Sequence, residues 1–133
     1  MWDETDAMES VNYNENFHIY PPRSFIPAGA IQGANMVVHR SVFEKIGAFN
    51  TYMGAGTDMR CEDIELIGRA SINGFIGAFI PELVVYHHHR RKMGQSVYQL
   101  RKNNDIGRGA YYCLLYTSPS PRDLSTSRMP SSA

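Results

Sequence analysis

The chain has 133 residues, enough for one small domain and too few for two. It is 43% hydrophobic and 20% charged, the balance of a folded protein rather than a disordered one. Thirteen basic against thirteen acidic residues give zero formal charge, which argues against a nucleic-acid partner, and two cysteines exclude a disulfide scaffold or a four-thiolate zinc site.

Residues 1–24 are first acidic and polar, then aromatic and proline-containing, and read as a loop or lid with little regular structure. Ile31 to His39 reads as a strand with Met36, Val37 and Val38 at its apolar end. Ser41 and Glu44 have the spacing of a capping box, so a short helix should follow, with Gly47 just past its end. Gly54-Ala55-Gly56-Thr57 reads as a flexible loop.

A second helix should start near Glu62 and stop at Asn73-Gly74. Ile64, Ile67, Gly68, Ser71 and Ile72 repeat at i, i+3, i+4, i+7 and i+8, which predicts a core-facing stripe. Glu65 and Arg69 form an i,i+4 pair expected on the outer side. Phe75 to Ile80 reads as a short buried strand ended by Pro81, and Leu83 to Tyr86 as another. A last helix is expected from about Gln95. Strands and helices mix in a way that suits α/β or α+β.

Three places could carry chemistry. A carboxylate in the first turn of a helix, such as Glu62 or Asp63, stays ionised in the positive end of the helix dipole and can accept a proton from a hydroxyl. Acidic residues are equally favoured there for helix stability alone. His87-His88-His89 follows a strand-like run, so His87 and His89 would share a face, and neutral imidazole is a common metal ligand. The same run also suits a polar strand end flanked by the cations Arg90, Arg91 and Lys92. Finally, Gly33-Ala34-Asn35-Met36 combines small residues, which permit close approach of a ligand to the backbone, with an amide that donates and accepts. A plain turn before a strand accounts for it as well.

The order of the pieces adds information. GANMVVHRSVFEKIGAFN, then GAGTDMRCEDIELIGRASINGF, then ELVVYHHHRRK, and finally GRGAYY resemble the C-terminal half of family 2 glycosyltransferases of the GT-A fold. The resemblance covers roughly residues 31–112 and rests on the ensemble, since no single element is specific. It implies an α/β chain, an incomplete GT-A fold with only the acceptor-side part present. It further implies an inverting transfer of a sugar from a nucleotide-sugar donor to a glycan or lipid-linked hydroxyl acceptor.

By position, the resemblance makes Asp63 the catalytic base and gives Glu62 the task of orienting the acceptor. Gly33, Asn35 and Arg90 fall to substrate binding, and His87 with His89 to a Mg²⁺ or Mn²⁺ that neutralises the diphosphate. The nucleotide-binding half and its DxD motif are not among these residues, so the chain is expected to be inactive alone. Cys61 stands before the ED pair where such enzymes often have a small residue. A cytoplasmic location, peripheral to the inner face of a membrane only through parts outside this sequence, is the matching expectation. The alternative is a non-catalytic carbohydrate- or metal-binding module that keeps the packing pattern.

Residues 113–133, CLLYTSPSPRDLSTSRMPSSA, are rich in Ser, Thr and Pro. They resemble the translation of a sequencing-library adapter, which divides the chain into an acceptor-side unit at 1–112 and a non-native, disordered tail at 113–133.

Overall fold

The computed structural model describes residues 16–87 and 94–117. Its elements are β1 (His18–Tyr20), a single 3₁₀ turn (Gly33–Asn35), α1 (Arg40–Ile46), α2 (Glu62–Ile72), β2 (Gly77–Phe79) and α3 (Gln95–Thr117). Among the described residues the sheet is one antiparallel pair, with His18 opposite Phe79, Ile19 opposite Ala78 and Tyr20 opposite Gly77.

The helix α2 organises the rest, because α1 packs against one flank and α3 against another. It begins at Glu62 and gives way to Asn73-Gly74, where Gly74 takes φ +93, as the sequence predicts. Ile64, Gly68 and Ser71 of the expected stripe are buried, while Ile67 and Ile72 are half-buried. Leu66 and Ala70 are buried too, so the covered face is wider than one stripe. A helix covered from two sides buries more than the narrow arc its periodicity shows. Leu66 is fully inaccessible, and burying such a side chain stabilises by about 1.5–3 kcal/mol.

Glu65 lies on this widened face and is only 8% exposed, which corrects the expectation of an outer position. Its pairing with Arg69 holds, through Nε to Oε1 at 2.8 Å and Nη2 to Oε2 at 2.9 Å. The guanidinium also donates to the carbonyls of Ile46, the last residue of α1, and of Ala48, just past it. Those carbonyls have no helical partner of their own, so Arg69 serves the C-terminal end of one helix from the side of another. Lys45 ties the same pair of helices from the other direction, donating to Asn73 O at 2.8 Å and standing 5.2 Å from the Phe75 ring centroid.

Tyr111 and Tyr112 of α3 fasten the segment after β1. The Tyr111 hydroxyl donates to Ile26 O at 2.7 Å, and the Tyr112 hydroxyl accepts from Ala28 N at 3.2 Å. From the α2 side, Ser71 O accepts from Arg23 N at 2.7 Å and Ser71 Oγ donates to Ser24 O at 2.8 Å. Ile26 is buried between these anchors. The core proper gathers Met53, Ile64 and Tyr111, with Ala28, Ile31, Met59 and Cys61 packed around it.

Several expectations need correction. The strand expected over 31–39 is a 3₁₀ turn followed by an unpaired run, with Val37 92% exposed. Leu83–Tyr86 joins no ladder either, and Leu83, Val84, Val85 and Tyr86 are all exposed. Apolar β-formers adopt a ladder only where a partner strand exists, and the described residues supply none to these two runs. The expected strand at 75–80 survives as the three residues of β2, half-exposed rather than buried, because its partner is β1, inside a segment expected to lack structure.

The capping box at Ser41 and Glu44 is replaced. The helix starts two residues earlier, so Ser41 lies inside the first turn. His39 is the cap, its Nδ1 accepting from Ser41 N at 3.3 Å. Gly47 closes α1 with φ +80, its amide bonded to Phe43 O at 2.9 Å. The helix expected from Gln95 is α3, and its backbone runs unbroken past the boundary placed at Tyr112, with Leu115 packed against the core. Residues 113–117 are therefore helical, and the rest of the expected tail lies outside the described residues.

Candidate functional site

The N-terminal turn of α2 is built from three separate stretches of sequence. Cys61 precedes it with φ 85° and ψ 32°, a left-handed conformation that non-glycine residues adopt at a cost of about 1–2 kcal/mol. Gly107 of α3 crosses the Arg60 backbone so closely that a Cβ would stand 2.6 Å from the Arg60 carbonyl carbon. Cys61 Sγ lies 3.8 Å from Asn104 O on the same helix. The strained turn is thus clamped by α3, which fixes where Glu62 and Asp63 begin.

Asp63 is half-buried, and both of its oxygens are engaged. Oδ1 accepts from Ile64 N at 2.8 Å, satisfying one free amide of the first helical turn. Oδ2 accepts from Gly33 N at 2.7 Å, thirty residues away in sequence. Each carboxylate oxygen has a second lone pair, so the group retains acceptor capacity toward another donor. A Cβ at Gly33 would stand 3.3 Å from Oδ2, a tight approach to which the carboxylate would have to yield by a few tenths of an ångström. Asn35, two residues on, donates from Nδ2 to Leu83 O at 2.7 Å. The 3₁₀ turn therefore bridges the start of α2 to the apolar run that leads into His87.

Glu62 sits beside Asp63 against the loop that precedes the helix. A Cβ at Gly54 would meet the Glu62 carboxyl carbon at 3.3 Å, and Gly54 adopts φ +123. That loop is closed by hydrogen bonds within itself. Gly54 N donates to Met59 O at 2.7 Å, and Thr57 Oγ1 lies 2.9 Å from Gly54 O and 2.7 Å from Met59 O. Burial, reinforced by the neighbouring Asp63 carboxylate, pushes the Cys61 thiol up from its ordinary value, with Arg108 opposing. The negative charge that raises the thiol comes from the candidate site itself.

Of the expected site residues, Gly33, Asn35, Glu62 and Asp63 gather around the 3₁₀ turn and the start of α2. His87 lies at the exposed end of the run anchored through Leu83, while His89 and Arg90 fall outside the described residues. Among the described residues no three His, Cys, Asp or Glu side chains are placed to hold a metal ion, and His89, one of the two expected Mg²⁺ or Mn²⁺ ligands, lies outside them.

Sequence reading did not anticipate Gly107, Tyr111, Tyr112 or Arg69 as supports of this region. The signals were the i,i+4 spacing of Arg69 with Glu65 and the GRGAYY string, since a glycine inside a helix lowers its stability and implies close approach of another backbone.

Comparison with known proteins returns no relative: no family model, curated protein or solved structure matches the chain. Among the described residues no helix is long and apolar enough to cross a membrane.

Proposed function

We propose that this chain is the acceptor-side part of an inverting glycosyltransferase, with Asp63 as the base that takes the proton from an acceptor hydroxyl. The observation that supports it most is the Gly33 N to Asp63 Oδ2 hydrogen bond. It brings into direct contact two positions that the one family resemblance assigns to the same site. The amide holds the carboxylate in one orientation, as a base must be held toward the hydroxyl it deprotonates. As the hydroxyl oxygen attacks the anomeric carbon, the proton passes to the carboxylate and the nucleoside diphosphate leaves with the bonding pair. A single displacement of this kind inverts the anomeric centre. Glu62, alongside, orients the acceptor.

The exposed apolar runs fit this reading. Val37 and the Leu83–Tyr86 segment are what strand residues look like when the sheet that would cover them is not among the described residues. A second reading has its own observation. Both Asp63 oxygens already accept backbone amides, which is how a purely structural carboxylate is held, so a non-catalytic binding module with the same packing is the competing proposal.

The deciding experiment recovers the parent reading frame by amplification across both ends and measures transfer from nucleotide-sugars. Asp63→Asn preserves shape and one acceptor oxygen. It is expected to lower transfer by about 10²–10⁴-fold, the usual contribution of a general base, while donor binding persists. Near-normal transfer in that variant refutes the base assignment. A parent frame without transfer activity favours the module.

A further inference from the structure

We infer that Arg60 is the diphosphate-binding group of the candidate site, its guanidinium holding the phosphoryl oxygens of the nucleoside diphosphate that leaves as the acceptor attacks. The identity of that ligand rests on the glycosyltransferase reading, whereas the need for an oxyanion arises at Arg60 itself. The residue is half-buried, and its Nε is buried without a hydrogen-bond partner. No ion pair among the described residues involves it. A guanidinium keeps its charge and carries five donors, so burying one of them unpaired is unfavourable unless an anion meets it.

Arg69 shows how this fold treats a structural arginine. Its guanidinium is bonded to both Glu65 oxygens and to the carbonyls of Ile46 and Ala48. Arg60 has no such set, although Asp58, Glu62 and Asp63 lie within three residues of it. Asp63 turns its oxygens to Ile64 N and Gly33 N, Glu62 packs toward Gly54, and Asp58 is exposed. The local carboxylates are engaged elsewhere, which leaves the donors of Arg60 for an anion from outside the chain.

The position suits a leaving group. Gly107 crosses the Arg60 backbone and the left-handed Cys61 follows it, so the residue is held in place before any ligand arrives and binding costs little further ordering. Arg108, next to Gly107 on α3, bears on the Cys61 thiol together with Arg60, and both draw it down against the stronger upward push of burial and Asp63. Two cations from separate stretches thus act on the turn that starts α2. An in-line displacement sets the leaving group across the anomeric carbon from the base. The cation that receives it must therefore stand near Asp63 without pairing with it. The planar fork of a guanidinium matches phosphoryl oxygens two at a time, and a fixed cation stabilises the charge that develops there as the glycosidic bond breaks.

Urea unfolding of the full chain, followed by circular dichroism, tests the inference with inorganic pyrophosphate against sodium chloride at matched ionic strength. Pyrophosphate should raise the parent's midpoint, as a ligand of the folded state does, and succinate should raise it less. Arg60→Met should weaken pyrophosphate binding at least about tenfold, and Arg60→Lys should restore only part of it because an ammonium lacks the fork. Arg23→Met, which removes an exposed guanidinium elsewhere, should respond as the parent does. In chloride alone, Arg60→Met should be at least as stable as the parent, since the buried Nε it removes has no partner in the fold. The inference is overturned if pyrophosphate acts no more strongly than chloride or succinate, or if its effect survives in Arg60→Met. It is overturned as well if that variant is the less stable in chloride, which would make the residue structural. In the recovered parent enzyme the two claims separate. Unimpaired transfer by Arg60→Met sinks the Arg60 assignment alone, whereas absent transfer with the pyrophosphate response intact sinks the glycosyltransferase reading and leaves the oxyanion site standing.

Discussion

Replacing Gly107 by alanine tests how the site is positioned, and its neighbour Gly109 supplies the control. Both glycines lie in α3, so both substitutions gain about 0.5–1 kcal/mol from the stiffer helical backbone. At Gly109 nothing stands within 4 Å of the added methyl, and that gain should appear undiminished. At Gly107 the methyl would lie 2.6 Å from the Arg60 carbonyl carbon and 2.8 Å from its nitrogen, against backbone atoms that cannot rotate away. Overpacking usually costs about 1–3 kcal/mol, and a backbone-on-backbone clash belongs at the upper end. Subtracting the shared helical gain leaves Gly107→Ala destabilised by roughly 2 kcal/mol, and the two variants separated by about 3 kcal/mol. Urea unfolding followed by circular dichroism measures both midpoints in one experiment. Equal stabilities for the two variants would falsify the crossing of α3 over Arg60, and with it the account of how the strained Cys61 turn is held.

Tyr111 offers a prediction in pH. Burial, then Tyr112 and Glu65, push its hydroxyl up to about 12, so the folded state keeps a proton that the unfolded chain loses near 10. Stability should therefore be intact below pH 10 and fall between about 10 and 12, and Tyr111→Phe should flatten that part of the profile while costing about 1–2 kcal/mol at neutral pH by orphaning Ile26 O. Arg69→Met strands the buried Glu65 and two carbonyls, which predicts a loss of about 3–5 kcal/mol in thermal or urea unfolding, and Arg69→Lys should recover little because one ammonium cannot replace the planar fork. Cys61, half-buried and with its thiol raised, should be alkylated at least about tenfold more slowly than the exposed Cys113 at pH 8, as read by mass spectrometry; the reverse order would contradict the raised thiol.

Local signals in the sequence predicted the helices well and the strands poorly, for a physical reason. The span of α2 is set by its own residues: acids in the first turn, a 3.6-residue apolar repeat, and Gly74 at the exit. Glu65 and Arg69 could be paired from spacing alone, but spacing cannot reveal that α1 and α3 both lean on α2 and bury the pair. A strand needs a partner that no local pattern names. Val37 and Leu83–Tyr86 have strand composition and no ladder, whereas His18–Tyr20 pairs with Gly77–Phe79 from within an otherwise irregular stretch. The capping residue of α1 was missed because imidazole nitrogen substitutes for the usual hydroxyl.

The candidate site was legible as a set of residues and illegible as a geometry. Glu62 and Asp63 could be placed in a first turn from sequence, and Gly33 and Asn35 in a neighbouring small-residue motif. What joins them is the Gly33 amide, a backbone group with no side-chain signature. What fixes them is the contact of Gly107 with Arg60, forty-seven residues apart. Position at the site therefore passes along a mechanical chain, from α3 through the left-handed Cys61 to the first turn of α2. A substitution that loosens α3 should displace the carboxylate without touching it. In a transferase, a shift of that kind would depress turnover more than donor binding, because the proton acceptor must lie in line with the acceptor hydroxyl while the donor is held by other residues.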